Sequence, residues 1–379
     1  MHLYLHIPFC RQACYYCDFH FSTNLQLKDK LIDAICEEII VQKDFLRNKK
    51  LQTVYFGAGT PSFLENKDLD KIFETISKNF DLTEVEEITL ETNPEDVQID
   101  KIKHWKTLGI NRLSLGIQTF DDRILGYFNR NHKAEISIKA LDLLLGAEYS
   151  NLTVDLIYAH NVLELNEKES NLILFKDLEI ISGFNLPHIS AYNLTLEKDT
   201  VFGKWLKQKK MKAISEEHAA TQYEILVNFL SDKKYIQYEV SNFGFEGKFA
   251  IHNSAYWKDE EYLGIGPSAH SYDCKNRMSN VANNPKYIKA IESGLVPSIV
   301  EELSNSDRIN DYLLTGLRTI WGVDLKKISQ MAGEIPQTFW DNISLLKNKN
   351  WIAQEAETIS ITSEGRIFSD RIASDLFFD

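Results

Sequence analysis

Three cysteines crowd into one short stretch, CRQACYYCDF at residues 10–19, where Cys10, Cys14 and Cys17 form a C-x3-C-x2-C pattern. The chain has five cysteines in all, and the other two, Cys36 and Cys274, are remote in sequence. A disulfide framework needs an even set spread through a small secreted domain. Three thiols on one loop read instead as ligands of a metal centre. They are one short of closing a tetrahedral zinc site or a cubane cluster held wholly by protein. Spacing alone leaves open zinc completed by His6, His20 or Asp18, a [4Fe-4S] cluster with one iron free for a substrate or cofactor, and three incidental buried thiols.

The elements that would position these residues follow from hydrophobic periodicity. LYLHI (3–7), TVYFGAG (53–59), EEITLETNP (86–94), RLSLGIQ (112–118), LTVDLIYA (152–159) and HISAYNLTL (188–196) read as strands. Helical patterns separate them, as over residues 26–47, where Leu27, Leu31, Ile35 and Ile39 share one face. Strand and helix in alternation predict a parallel sheet. Cys10, Thr60, Glu91, Gln118, Asp155 and Asn193 are expected at or just past the carboxyl ends of the strands, where ligand sites of parallel α/β folds lie. Contributions from so many strand ends favour a partial (β/α)6-type barrel over a flat doubly wound sheet. The expected division is a barrel over 1–200, an extension over 201–299 carrying HNSAYW and GIGPSAHS, and a smaller, mostly helical domain over 300–379.

The 379 residues include 44% hydrophobic and 26% charged positions, ordinary for a globular protein. A net charge of −13 argues against a general nucleic-acid binder, which needs a basic face. No run approaches the roughly 20 apolar residues of a spanning helix. The start MHLYLHIPFC lacks a basic region followed by a long apolar run, so no signal peptide and a cytoplasmic setting are expected.

Taken together with the preceding YLHIPFC, the cysteine loop resembles the cluster motif of the radical S-adenosylmethionine (SAM) enzymes. Within them, the whole chain from Tyr4 onward resembles the family of oxygen-independent coproporphyrinogen oxidases and haem chaperones. The resemblance implies that Cys10, Cys14 and Cys17 hold three irons and that SAM chelates the fourth through its amino and carboxylate groups. FGAGTPSFL matches the family's Gly-Gly-Gly-Thr-Pro element, implying SAM contacts at Ala58, Gly59 and Thr60, with Ala58 in place of the middle glycine. Glu91, Gln118, Arg130 and Asp155 match its other polar SAM contacts, and Tyr4 and Tyr16 its aromatic positions around the cluster. After Asp155 the family's Tyr-Gly-Leu-Pro is replaced by YAHNVLELNEKES, which alters the backbone allowed beside SAM.

Two features divide the branches of that family. The oxidases continue to C-x3-C-x2-C-x-C, where this chain has Phe19, and they carry an extension ahead of the first strand, which here begins by residue 3. Both point to the haem-chaperone branch and place decarboxylase activity in question. HNSAYW (252–257) matches a motif associated there with haem binding. Its His252 is the candidate haem ligand, with His270 as a competitor and Cys274 behind it. The expectation is a chaperone that binds haem as cargo together with SAM and the cluster. The alternatives are radical decarboxylation of coproporphyrinogen III, or a metal-stabilised binding protein without SAM chemistry. Expected partners are haem-accepting proteins, an electron donor, a second copy of the chain and, peripherally, a membrane surface.

Overall fold

Side-chain alternation along parallel strands sets the architecture. The computed structural model describes residues 1–45, 49–160 and 165–378. Strands β1 (His2–Ile7), β2 (Thr53–Ala58), β3 (Glu87–Thr92), β4 (Arg112–Gln118), β5 (Leu152–Tyr158) and β6 (His188–Asn193) pair in parallel, each with the next. Leu3, Leu5, Val54, Phe56, Leu113, Leu115, Val154 and Ile189 belong to the main hydrophobic cluster. Between them stand His2, Tyr4, Thr53, Tyr55, Arg112, Ser114, Thr153, Asp155, His188 and Ser190, which alternation turns to the opposite face. Parallel strands covered on both faces normally read as continuous apolar runs. A polar inner face therefore marks a barrel interior given over to a site.

Helices α1 (Lys28–Val41), α2 (Asn66–Asn79), α3 (Ile99–Thr107), α4 (Asp122–Tyr127), α5 (Ala134–Gly146) and α6 (Glu167–Gly183) fill the connections. Helix α1 buries Leu31, Ile35 and Ile39, the stripe visible in the sequence, but is shorter than the expected 26–47. Capping boxes start α2 (Glu65 with Asp68) and α6 (Asn166 with Glu169), each satisfying amides that a helix start leaves unpaired.

Beyond β6 come α7 (Val201–Lys207), α8 (Glu216–Asp232), β7 (Ile236–Glu239), β8 (Asn242–Gly244) and α9 (Ile251–Trp257). They are followed by β9 (Tyr262–Ile265), β10 (His270–Tyr272), β11 (Asn276–Asn280) and β12 (Ser298–Glu302). Strand β9 joins β1 in parallel, and β10 to β12 continue antiparallel from it. The result is a 12-stranded sheet in the order β12-β11-β10-β9-β1-β2-β3-β4-β5-β6-β8-β7, with β12 and β7 at its two ends. The expected α/β partial barrel is thus present, with antiparallel strands added on both sides. Helix α9, which carries HNSAYW, packs on β2.

A second hydrophobic cluster, with Leu313, Val323, Ile328, Ile343, Ile359 and Ile372, forms the core of the C-terminal region. Helices Asn305–Gly316, Leu325–Ala332, Gln337–Asn348 and Ser369–Asp375 surround it. An antiparallel sheet of β13 (Val323–Asp324), β14 (Ile352–Glu355) and β15 (Thr358–Ile361) completes it. The large sheet runs on through Glu302, so its last strand crosses the expected boundary at 299/300, because β12 pairs with β11. Among the described residues no helix is long and apolar enough to cross a membrane.

Candidate functional site

The cysteine loop leaves β1 and is pinned on both sides. Cys10 N–H donates to the Ser22 carbonyl at 3.1 Å, and Ser22 N–H to the Pro8 carbonyl at 2.6 Å. Gln12 Nε2 donates to the Asn129 carbonyl at 3.1 Å and to its Oδ1 at 2.7 Å, and the Asn129 amide donates to the Ala13 carbonyl at 2.7 Å. Arg11 pairs with buried Asp96 at 2.6 Å and lies over the Phe63 ring. All three thiols are free and partly exposed. Burial pushes Cys10 up to about 11 and Cys17 to about 12. Thr60 Oγ1 donates to Cys10 Sγ at 3.6 Å, Arg130 Nη1 to Cys14 Sγ at 3.5 Å, and Tyr16 Oη lies 3.5 Å from the same Nη1.

This donor set, soft thiols faced by a hydroxyl and a buried cation, fits an iron–sulfur cluster. Among the described residues no three His, Cys, Asp or Glu side chains converge on a single ion. His6 and His20 are turned to other partners, His6 Nε2 to the His20 carbonyl at 2.9 Å and His20 Nε2 to Asn284 Oδ1 at 2.7 Å. Of His6, His20 and Asp18, the two histidines thus already have other hydrogen-bond partners.

Gly59 serves a packing need. A Cβ there would lie 2.6 Å from the Ile7 carbonyl and 2.8 Å from Phe9, because the end of β2 runs against the start of the cysteine loop. Gly59 N–H donates to the Ile7 carbonyl and Thr60 N–H to that of Phe9. Ala58, by contrast, adopts a left-handed φ of 88°, the backbone region that suits the glycine expected there from the resemblance. Its N–H donates to Glu91 Oε2 at 2.9 Å, while the Tyr55 hydroxyl donates to Oε1 at 2.8 Å. Ala159 stands where the family's second glycine would, also left-handed with φ 57°, and its N–H donates to buried Gln222. Within that altered stretch, residues 161–164 lie outside the described residues.

The remaining SAM candidates gather around Arg130. Its Nη2 donates to Asn93 Oδ1 at 2.8 Å and to the Gly116 carbonyl at 2.7 Å. Gln118, at φ 72° where β4 is irregular against β5, brings its amide within 3.0 Å of the position a Gly116 Cβ would take. Asp155 sits in the middle of β5 rather than at its carboxyl end, a correction that follows from the strand's running on to Tyr158. Ser114 donates to it at 3.1 Å. Burial pushes Glu91 up to about 7 and Asp155 to about 6, and each is partly exposed to the interior. A ligand with positive charge would draw both back to the ionised form. Asn93, which links Arg130 to Thr60, was legible as part of ETNP but only its neighbour Glu91 drew attention. Thr53, Tyr55 and Ser114 were missed too, although polar alternation within apolar strands was their signal.

A cavity of about 1010 Å³ opens beside this face, lined by Tyr4, Tyr55 and Glu91 from the barrel and by Tyr256 and Trp257 from α9. It exceeds the roughly 300–1,000 Å³ usual for small-molecule sites. His270 is exposed on its wall and Phe19 is 67% exposed at its edge. Cys274, with its thiol directed at the Asp259 carbonyl, is not among the lining residues. His252 lines the cavity but is 1% exposed, and both its ring nitrogens are engaged, Nδ1 with Thr53 Oγ1 at 2.6 Å and Nε2 with Tyr256 Oη at 2.8 Å.

Likeness to other proteins agrees with this geometry. The profile of the Radical SAM superfamily matches residues 4–170, a span holding the cysteine loop and every SAM candidate. The chain is 34% identical to the "Heme chaperone HemW" of Lactococcus lactis subsp. lactis, over 96% of this chain and 93% of that one. It belongs to the HemW family. Another HemW, from Bacillus subtilis, is 30% identical over 97% of each chain. The solved coproporphyrinogen III oxidase (HemN) of Escherichia coli superposes with a TM-score of 0.83 over 99% of this chain and 89% of that one. At 21% identity this is a likeness of fold alone. Ala58 and Ala159, where the sequence resemblance leads one to expect glycine, keep the left-handed backbone that glycine favours.

Proposed function

We propose that this chain is a haem chaperone of the cytoplasm that takes up haem as cargo, carries a [4Fe-4S] cluster on Cys10, Cys14 and Cys17 with SAM beside it, and delivers haem to an acceptor protein. The observation that carries this reading is the cavity of about 1010 Å³, whose aromatic walls join α9 to the barrel face holding Tyr4 and Glu91. Tyrosine and tryptophan rings suit an apolar macrocycle with polar edges. Arg277 and Arg318, also on the wall, stand as counter-charges for propionates, although each is shared with carboxylates.

In this reading Thr60 and Arg130 steady cluster sulfurs. Glu91 and Asp155 face the cationic parts of SAM, and Tyr4, Tyr16, Ala58, Gly59 and Gln118 shape its surroundings. When bound, the cluster supplies single electrons to SAM from an external donor. The chain's own residues bind, orient and shield. A homodimer and a peripheral membrane contact remain part of the proposal through the expected acceptors, not through any residue set.

The test is an anaerobic haem titration of reconstituted protein followed by absorption, then transfer of the haem to an immobilised apo-haemoprotein. Saturable binding with transfer is expected. Absence of saturable binding, or decarboxylation of coproporphyrinogen III under reducing conditions with SAM, would overturn it.

A further inference from the structure

A continuous chain of hydrogen bonds runs from the cavity wall through the barrel interior and back to the cavity rim. Tyr256 Oη lies 2.8 Å from His252 Nε2, and His252 Nδ1 lies 2.6 Å from Thr53 Oγ1. Thr53 Oγ1 lies 2.9 Å from His2 Nδ1, and His2 Nε2 lies 2.8 Å from Glu260 Oε2. His2, Thr53 and His252 are all but sealed from solvent, whereas Tyr256 and Glu260 line the cavity at its wall. The His252 ring stacks on Tyr55 at 4.8 Å, and Tyr256 packs edge-on against Tyr262 at 4.6 Å, so both rings are fixed.

Each nitrogen of His252 is therefore spent inside the protein. To reach an iron in the cavity, the imidazole would have to abandon Tyr256 or Thr53 and leave a buried group unsatisfied. Both residues line the cavity, but Tyr256 is partly exposed where His252 is buried, and its oxygen is already held by His252. The two residues are four apart on α9 and so share a helix face. We propose that Tyr256, as phenolate, is the ligand of haem iron and that His252 is a positioning residue behind it, an inference that rests on the haem-chaperone reading. Tyrosinate is an established protein ligand of ferric haem.

The relay accounts for the phenol proton. The Glu260 carboxylate accepts only, so with neutral His2 the donors must run in one sense. Tyr256 O–H donates to His252 Nε2, His252 Nδ1–H to Thr53, Thr53 O–H to His2 Nδ1, and His2 Nε2–H to Glu260. When ferric porphyrin binds, the Fe–O bond forms and the Tyr256 O–H bond breaks. One proton passes to His252 Nε2, one from His252 Nδ1 to Thr53, and one from Thr53 to His2 Nδ1. Every donor and acceptor remains paired, the bonds from His2 back to Tyr256 now running in the reverse sense, while His2 Nε2–H still donates to the Glu260 carboxylate and the new imidazolium faces it. No electron is transferred.

The test uses full-length protein with ferric haem, read by resonance Raman and by titration, in wild type, Tyr256→Phe, His252→Ala and His270→Ala. Iron–phenolate vibrations are expected in the wild type, and their loss in Tyr256→Phe with affinity falling by roughly tenfold or more. His252→Ala should keep the phenolate signature while binding more weakly, and His270→Ala should resemble the wild type. A wild-type spectrum of imidazole ligation that survives Tyr256→Phe overturns the inference and leaves the chaperone reading intact. Absence of haem binding in the wild type overturns both.

Discussion

Replacing Ala58 by glycine should stabilise the protein, although it removes a methyl group from the edge of the site. Ala58 holds φ at 88°, in the region where the Cβ of an L-residue crowds its own backbone. That conformation costs roughly 1–2 kcal/mol for a residue with a side chain. Glycine removes this strain but adds about 0.4–1 kcal/mol of unfolded-state freedom. The net gain is about 0.5–1 kcal/mol. The N–H of residue 58 still reaches Glu91, so the turn keeps its anchor. The control is Ala147→Gly at the end of α5, where φ is an ordinary −89° and the same change should lose about 0.5–1 kcal/mol. Both variants would be unfolded in urea at equal iron content, with fluorescence of Trp105, buried in the main core, among the reporters. The midpoint should rise for Ala58→Gly and fall for Ala147→Gly with the slope unchanged. If both fall together, Ala58 carries no backbone strain that glycine relieves, and the reasoning fails.

Gly59→Ala should do the opposite of Ala58→Gly. Its Cβ would meet the Ile7 carbonyl at 2.6 Å, so a loss of about 1–3 kcal/mol and fewer irons per chain after reconstitution are expected, and a normal iron content with an unshifted midpoint would refute this. Thr53→Val leaves one nitrogen each of His2 and His252 buried without a partner and should cost about 2–4 kcal/mol, whereas Thr53→Ser, which keeps the hydroxyl, should cost far less; equal losses in urea would count against the relay. Burial pushes the Asp177 carboxyl up to about 7, even though Thr119 O–H and Phe120 N–H donate to it. The folded state thus keeps a proton that the unfolded chain releases, and stability should fall as pH rises from about 4 to about 7. Asp177→Asn should flatten that slope in urea midpoints taken across the range, and an unchanged slope would refute the assignment.

What the sequence revealed depended on whether the signal was local. Strand β4 covers residues 112–118, the span that its alternation indicates, and the succession of parallel strands follows from strand–helix periodicity. Cysteine spacing likewise put three thiols on one loop, since short separations survive folding. The partners of those thiols were visible only as residues matching a family. Thr60 and Arg130 reach the loop from different strand connections, and Asn93, which ties them together, comes from a third.

His252 shows why residue type and spacing do not give a side chain's chemistry. An imidazole beside Tyr and Trp reads as a metal ligand when its surroundings are unknown. The structure fills both nitrogens, one of them through Thr53, which lies 199 residues away. His2 and Glu260, 258 residues apart, meet because β9 pairs with β1, a register fixed by the sheet as a whole. The spacing of His252 and Tyr256 did contain a clue, since residues four apart on a helix touch. Both line the cavity, and which of them is the more exposed follows from the packing of α9 on β2, where Thr53 holds the imidazole. Residue type and spacing therefore identify a pair, and the buried partner of His252 shows which of the two is the more open to whatever enters the cavity.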